Sequence, residues 1–317
     1  LKLLVTGGLG YIGGRFAEHV AATTAHELRL TTRGAPAGQP GIGSAVILRA
    51  DPFDAAAFAS LCQGVEVVIN LGGPNAAQCA LDPQAAIDWR VAQMRALLSA
   101  AGERGVRRVI HVSTAHVYGK ALMGEVDEAK PVEPTHPYAL SHLAAEQVLR
   151  DAHSSRQVEA VVARLSNSFG APMNPDCDCW TLVTNDLARQ AVGTRQMKLH
   201  TPGLQRRDFI AMSEVCRALL QLCETGTALP SDSLVNVGAG DAPTLLEQAG
   251  RIAAVVEAEL GFCPQIVCGT REDPVGGGEL EFRSLRLRSL GFEPCADAVP
   301  RELARLAQFC AKLGVAA

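Results

Sequence analysis

Three glycines spaced three apart, Gly7, Gly10 and Gly13, stand between a short apolar run and a longer amphipathic one. No other feature restricts the fold as much. Residues 1–6, Leu-Lys-Leu-Leu-Val-Thr, read as a buried strand, and helical apolar spacing runs from Tyr11 to Ala22. A bare turn at that junction lets the backbone approach a pyrophosphate. The free N–H groups of the helix start then point at the anion. Glycine spacing alone is a weak signal, but between a buried strand and an apolar helix it is a strong one. Gly7, Gly10, Tyr11, Ile12 and Gly13 are therefore expected to form a dinucleotide phosphate turn.

Strand patterns recur at Leu28–Thr32, Val46–Leu48, Val65–Leu71, Val106–Ser113 and Val158–Leu165. Helical patterns at Asp54–Cys62, Pro83–Glu103 and Tyr138–His153 lie between them. Apolar strands alternating with helices predict an α/β fold with a doubly wound parallel sheet, of Rossmann type. Such a sheet binds its ligand at the carboxyl ends of the strands. After residue 165 the alternation breaks down. Residues 34–44 and Ala171–Trp180 read as loops, and Gly276-Gly277-Gly278 as a breaker. The expected division is a dinucleotide-binding domain over 1–165 with a segment returning near 205–240, and a smaller substrate-binding lobe over 166–204 and 241–317.

Composition excludes other classes. At 48% hydrophobic and 20% charged residues the chain is globular. Its net charge is −4 and no Lys/Arg run reaches four residues, which argues against a nucleic-acid partner. The longest apolar stretch, Val65–Leu71, is interrupted by Glu66 and Asn70 and falls far short of a membrane span. The ten cysteines include no Cys-x-x-Cys pair, and Cys177-x-Cys179 has no second pair, so no metal site is expected. They read as buried thiols of a cytoplasmic protein.

Thr6-Gly7-Gly8-Leu9-Gly10-Tyr11-Ile12-Gly13 departs from Gly-x-Gly-x-x-Gly and resembles the extended short-chain dehydrogenase/reductase family, in its epimerase/dehydratase branch. Asp51 and Leu71-Gly72-Gly73 strengthen the likeness, as do Arg207-Asp208-Phe209-Ile210 and Val235-Asn236-Val237-Gly238-Ala239-Gly240. The resemblance implies hydride chemistry with NAD(P) on a nucleotide-diphosphate sugar. It places Asp51 beside the adenine, and Leu71 and Gly72 in a turn under the cofactor. Strand two ends in Thr31, Thr32 and Arg33, with no carboxylate for ribose hydroxyls. NADP is expected, Arg33 pairing with the 2′-phosphate and Arg15 assisting. In the other reading, Thr32 hydrogen-bonds the ribose of NAD.

Ser113-Thr114-Ala115-His116-Val117-Tyr118-Gly119 resembles the family motif whose catalytic hydroxyl aligns with Thr114. Tyr138 and His142 resemble Tyr-x-x-x-Lys with histidine in place of lysine, and i,i+4 spacing sets both on one helix face. The family's tyrosine exchanges a proton with the substrate oxygen, and its lysine supplies charge and holds the nicotinamide ribose. His142 supplies charge only as imidazolium; neutral, it still donates a hydrogen bond. Losing the lysine hurts alcohol oxidation, which needs phenolate, more than ketone reduction. His111 reads as a packed core residue, while His116 faces either the substrate or solvent. The dehydratase branch carries Asp-Glu where Ala115-His116 stand, which disfavours a 4,6-dehydratase. The resemblance sets Asn167, Arg207 and Arg271 on the phosphates of the nucleotide sugar, and leaves Arg90 without a role where the family often has Asn.

Two activities stay open, ketoreductase and nucleotide-sugar epimerase, with the phenolate argument leaning toward reduction. The missing lysine also allows a non-catalytic NADP-binding sensor. The resemblance implies a homodimer built on helices Pro83–Glu103 and Tyr138–His153, with Leu97, Leu98, Leu143 and Val148 as candidate contacts.

Overall fold

The computed structural model describes residues 1–34, 41–119, 122–227, 229, 232–272 and 277–314. Part of the expected loop, residues 35–40, and the breaker Gly276 lie outside the described residues. The chain opens with β1 (Lys2–Thr6), α1 (Tyr11–Thr23), β2 (Glu27–Thr32), β3 (Val46–Arg49), α2 (Ala55–Leu61) and β4 (Val67–Asn70). Then come α3 (Ala76–Leu81), α4 (Pro83–Glu103), β5 (Arg108–Thr114), a 3-10 turn (Ala115–Tyr118), β6 (Gly124–Val126), α5 (Pro137–Ser154) and β7 (Glu159–Leu165). The second half holds β8 (Asn167–Phe169), α6 (Val183–Thr194), β9 (Gln196–Leu199), β10 (Phe209–Ala211), α7 (Met212–Glu224) and β11 (Leu234–Val237). It closes with α8 (Leu245–Leu260), β12 (Gln265–Cys268), β13 (Leu280–Phe282), α9 (Leu285–Ser289) and α10 (Ala298–Gly314).

The main sheet has seven parallel strands in the order β11-β7-β5-β4-β1-β2-β3. Chain direction across the sheet reverses between β3 and β4, so a crevice opens above the carboxyl ends of β1 and β4. This is the expected doubly wound α/β sheet. Its seventh strand, β11, comes from beyond residue 165. Burial on both faces explains the continuous apolar runs: β5 is buried at every position. Phe16, Val20, Met212 and Leu219 from α1 and α7 cover one face. Phe58, Met94, Leu97 and Leu149 from α2, α4 and α5 cover the other.

Leu97 and Leu98 thereby drop out as dimer contacts. They are 0% and 3% exposed because their helix face is turned onto the sheet. Leu143 and Val148 are half-buried against the protein's own core. The cysteine expectation also needs correcting. Cys62, Cys79, Cys179, Cys216, Cys223 and Cys310 are buried free thiols, but Cys263, Cys268 and Cys295 are exposed. No described helix is long and apolar enough to cross a membrane.

Helices α6, α8 and α10 enclose a separate core with Phe169, Met197 and Phe209. Two polar clamps fasten it to the sheet. Arg15 of α1 is 4% exposed, forks onto Glu302 of α10 at 2.5 and 3.0 Å, and donates to the Ala171 carbonyl. It therefore faces the opposite way from an assisting role at a 2′-phosphate, because a buried guanidinium needs its carboxylate. Removing Glu302 would leave Arg15 only the half-buried Glu18, 3.2 Å from its Nε, and should cost up to about 3–5 kcal/mol of stability. In the second clamp Asp208, fully buried, accepts from Ser166 Oγ at 2.5 Å and from the N–H groups of Ala239 and Gly240 at 3.0 and 2.7 Å. Burial still raises its carboxyl to about 6 against those donors.

Candidate active site

The turn between β1 and α1 is built for close approach. Gly7 has φ +65°, a left-handed conformation that favours glycine. A Cβ on Gly13 would stand 2.5 Å from the Gly7 carbonyl oxygen, and one on Gly8 would strike Leu30. Gly10 caps α1 with extended backbone and no side-chain bond. The first-turn N–H groups of Tyr11, Ile12 and Gly13 have no intrahelical acceptor. Tyr11 contributes only its backbone here. Its phenol donates to the Gly170 carbonyl at 2.9 Å and accepts from Asn185 at 3.2 Å, joining the turn to the second core.

Beside the turn lies a cavity of about 430 Å³, lined by Gly7, Gly10, Thr32, Arg33, Leu71 and Gly72 among others. Thr31 is buried at its inner edge, and Arg33 is exposed at its lip. Asp51 is exposed next to the wall residues Ala50 and Pro52, and its carboxylate accepts from the Phe53 N–H at 2.9 Å. The floor is a buried polar chain that the sequence did not reveal. Thr6 Oγ donates to Asn70 Oδ1 at 2.5 Å and accepts from the Leu71 and Gly72 N–H groups at 3.2 Å. Asn70 and Gln93 exchange amide hydrogen bonds at 3.0 and 3.1 Å.

Deeper in the crevice β5 delivers Thr114, which is 6% exposed and whose Oγ accepts from the His116 N–H at 3.2 Å. Pro137 opens α5, and the His136 ring accepts from the Tyr138 N–H at 3.1 Å. One turn on, the His142 ring meets the Tyr138 ring edge-on, 4.5 Å between centroids. The helix and strand are locked together by Glu146 of α5. Its buried carboxylate accepts from Ser113 Oγ and from the Arg164 fork, at 2.6 Å for the shortest Arg164 contact. Arg164 stacks on Tyr118, whose hydroxyl donates to Asn236 at 2.8 Å.

His142 is 4% exposed, and neither ring nitrogen has a partner among the described residues. Burial, with the charge of Arg90 and the rings of His111 and His116, holds its pKa well below the usual histidine value. That direction favours the neutral ring, a hydrogen-bond donor and acceptor, over imidazolium. His111 is fully packed as expected, stacked on His142 at 5.5 Å with Nδ1 facing Asn70 Nδ2 at 3.4 Å. Burial and Arg90 push it down to about 3. Burial raises the Tyr138 phenol above its ordinary value, and Arg90 opposes that rise.

A second cavity, about 860 Å³, lies among α6, β9, α8 and the loops beside them, and both Arg207 and Arg271 line it. Arg207 donates to Gln205 Oε1 at 2.8 and 3.1 Å, while Arg271 is exposed. Lys198 and His200 line it too, and nothing in their local sequence singled them out. Asn167 sits at the start of β8, its amide donating to the Asp208 carbonyl at 3.0 Å. His116 is exposed, and desolvation by the surrounding walls lowers its pKa, with Arg207 and His136 contributing.

Residues 3–238 match the family model described as the NAD dependent epimerase/dehydratase family. The chain is 25% identical to a dTDP-glucose 4,6-dehydratase of Streptomyces niveus over 80% of this chain and 76% of that one. It is 29% identical to a dTDP-6-deoxy-L-talose 4-dehydrogenase (NAD(P)(+)) of Kitasatospora kifunensis over 81% of each. With the mouse dTDP-D-glucose 4,6-dehydratase it shares 29% identity over 62% of this chain, spanning about half, 54%, of that enzyme's length. Among solved structures, the UDP-N-acetylglucosamine 4-epimerase of Methanobrevibacter ruminantium M1 superposes with a TM-score of 0.83 at 20% identity, covering 98% of both chains. The UDP-glucuronic acid 4-epimerase of Bacillus cereus, solved with UDP-glucuronic acid and NAD, gives 0.79 at 20% identity over 99% of this chain and 100% of that one.

The buried histidines set an acid limit on stability. In the unfolded chain each takes up a proton near pH ~6.5, whereas folded His111 stays neutral down to about 3. A folded pKa below the unfolded one means stability present at pH 7 is lost as pH falls through that window. The urea midpoint should therefore drop between pH 7 and pH ~5, and His111→Gln should flatten that slope. Equal slopes in the two proteins would contradict the account.

Proposed function

The chain belongs to the NAD-dependent epimerase/dehydratase family, and from that premise we propose that it carries out hydride transfer at a carbonyl or hydroxyl carbon of a nucleotide-diphosphate sugar, as a ketoreductase. The observation that carries this reading is the half-buried Tyr138 phenol beside an uncharged His142. Tyr138 holds its proton at neutral pH, burial having raised its pKa, and a neutral phenol can donate that proton to a forming alkoxide. Thr114, at the end of β5, orients the oxygen that receives the proton. Oxidation would need Tyr138 as phenolate, which this setting disfavours.

The residues present fit a nicotinamide dinucleotide. A Cβ would fill the cradle at Gly7 and Gly13, and His142 holds two buried ring nitrogens without partners. Gly7, Gly10 and the first-turn N–H groups of Tyr11, Ile12 and Gly13 would hold its phosphates. Thr32, Arg33, Asp51, Leu71 and Gly72 would border the adenosine and ribose, and His142 the other ribose. The group supplies hydride when bound. Asn167, Arg207 and Arg271 would grip the diphosphate of the sugar nucleotide, with His116 beside them. In this reading 1–165, with its return near 205–240, is the cofactor domain, and 166–204 with 241–317 is the substrate lobe.

Epimerisation is the second reading. The Arg90 guanidinium over the Tyr138 ring favours it, since a cation there eases the phenolate that an oxidising half-reaction needs. Elimination of water is disfavoured, because Ala115 and His116 leave no carboxyl beside Thr114. Incubated with a panel of sugar nucleotides, a ketoreductase consumes reduced cofactor in proportion to product, whereas an epimerase shows no net consumption. In either case Tyr138→Phe should lower turnover ~10²–10⁴-fold. Full activity in that variant would refute the assignment, whereas cofactor binding with no turnover of any sugar nucleotide by the unaltered protein would favour the NADP-binding sensor.

The end of β2 favours the 2′-phosphate form of the cofactor. Arg33→Ala should weaken NADP by ~1.5–3 kcal/mol, the worth of a charge-assisted contact, and leave NAD nearly unchanged. Calorimetry with both cofactors measures this, and equal losses would reverse the preference to NAD. We also propose a homodimer on α4 and α5. Leu140 on α5 remains 39% exposed, unlike Leu97 and Leu98. Light scattering should give twice the chain mass at micromolar concentration, and a monomer mass would overturn the proposal.

A further inference from the structure

Arg90 is 5% exposed, yet no carboxylate pairs with it among the described residues. Its Nε donates to Ser141 Oγ at 2.9 Å and one terminal nitrogen donates to the Pro74 carbonyl at 2.8 Å; both acceptors are neutral. The other terminal nitrogen presses against Gly73, where a Cβ would stand 2.3 Å from it, and Gly73 lines the cofactor-side cavity. The guanidinium carbon lies 5.6 Å from the centre of the Tyr138 ring. A buried cation bonded only to neutral groups is expensive unless an anion forms or binds beside it.

Resting on the functional reading above, we propose that Arg90 is the counter-ion of Tyr138, a positioning residue whose guanidinium supplies the fixed positive charge that His142 lacks. The chain thus departs twice from the pattern of the family it resembles, and the departures compensate: a cation lost at 142 is regained at 90. In the step concerned the Tyr138 O–H bond breaks and its proton passes to the substrate oxygen. The carbonyl carbon takes hydride from a reduced nicotinamide dinucleotide, and the electron pair of the broken bond stays on the phenolate beside Arg90. Water then returns the proton. The titratable groups around Tyr138 are few. Cys79 of α3, Arg90 of α4 and His142 of α5 adjoin it, while His111 of β5 and His116 of the 3-10 turn act on His142. Of these Arg90 carries a charge that does not titrate in the working range. Its help should not switch off near a histidine pKa, as an imidazolium's would.

The test uses the unliganded protein and turnover together. Its three tyrosines, Tyr11, Tyr118 and Tyr138, allow each phenol to be followed by NMR with ring-labelled tyrosine, Tyr138→Phe assigning the signal. Arg90→Asn should move the Tyr138 titration upward by about one pH unit or more, because removing a cation at this range shifts an acid by roughly that much. Reduction at neutral pH should fall by up to ~10-fold for each unit of that shift. Arg90→Lys should hold both near wild type. Arg90→Asn combined with His142→Lys should recover the titration and the rate. An unmoved Tyr138 titration in a folded Arg90→Asn protein would overturn the proposal. So would a uniform loss at every pH that neither lysine variant rescues, which would mark Arg90 as a strut, and so would a loss confined to cofactor affinity. Activity in Tyr138→Phe would end the functional reading instead, while the titration still decides whether Arg90 governs the phenol.

Discussion

The carboxylate of Glu146 ties α5 to β5 and β7. It sits 1% exposed at the junction of α5, β5 and β7, accepting from Ser113 and from both ends of the Arg164 fork. Thr114 follows Ser113 along the strand, and Tyr138 and His142 lie on the same helix as Glu146, two turns and one turn earlier. The distance between a hydroxyl on a strand end and a phenol on a helix is set only by what ties strand to helix. Apolar packing fixes such a distance loosely, whereas a bidentate ion pair with a third donor fixes it closely. Burying the charges is costly, and it is offset by the fork, the serine and the stacking of Arg164 on Tyr118 at 4.7 Å. Through Tyr118 and Asn236 the same network reaches β11, the edge strand beside β7.

Legibility in the sequence followed the range of the interactions. The glycine turn and the main-sheet strands β1 to β5 and β7 announce themselves because strand burial and helix periodicity are written into neighbouring residues. The Tyr138–His142 pairing was equally local, one helical turn wide. Three features were not legible. The pairs β8–β10, β9–β12 and β6–β13 run for three or four residues each, too short for a period to show. Arg15 looked available to a phosphate because it follows the turn, but helix rotation aims it at Glu302, far along the chain. Arg90 carried no local signal at all, since its meaning lies in what α5 and the loop after β4 bring to it. Leu97 and Leu98 read as surface candidates for the same reason: a helix pattern gives a face without saying which neighbour covers it.

Charge is distributed against the protein's overall sign. The chain carries −4, yet Arg33 borders the cavity beside the glycine turn, Arg90 adjoins it, and Lys198, Arg207 and Arg271 line the other. Asp186 and Glu272 also line that second cavity, so its walls are of mixed sign. Burial, with the nearby charge of Arg207 or Arg90, lowers the pKa of His116, His142 and His111.

The ion pair between Arg15 and Glu302 joins residues 287 positions apart. During synthesis at ~5–20 residues per second, roughly 15–60 seconds separate the appearance of the two partners. Through that interval Arg15 has only Glu18 of its own helix, 3.2 Å from its Nε, to pair with. The fork onto Glu302 and the bond to the Ala171 carbonyl are therefore late contacts. Helix α10 supplies one of the last ties between the two cores, and a chaperone's opportunity on this chain is the delay before that tie forms.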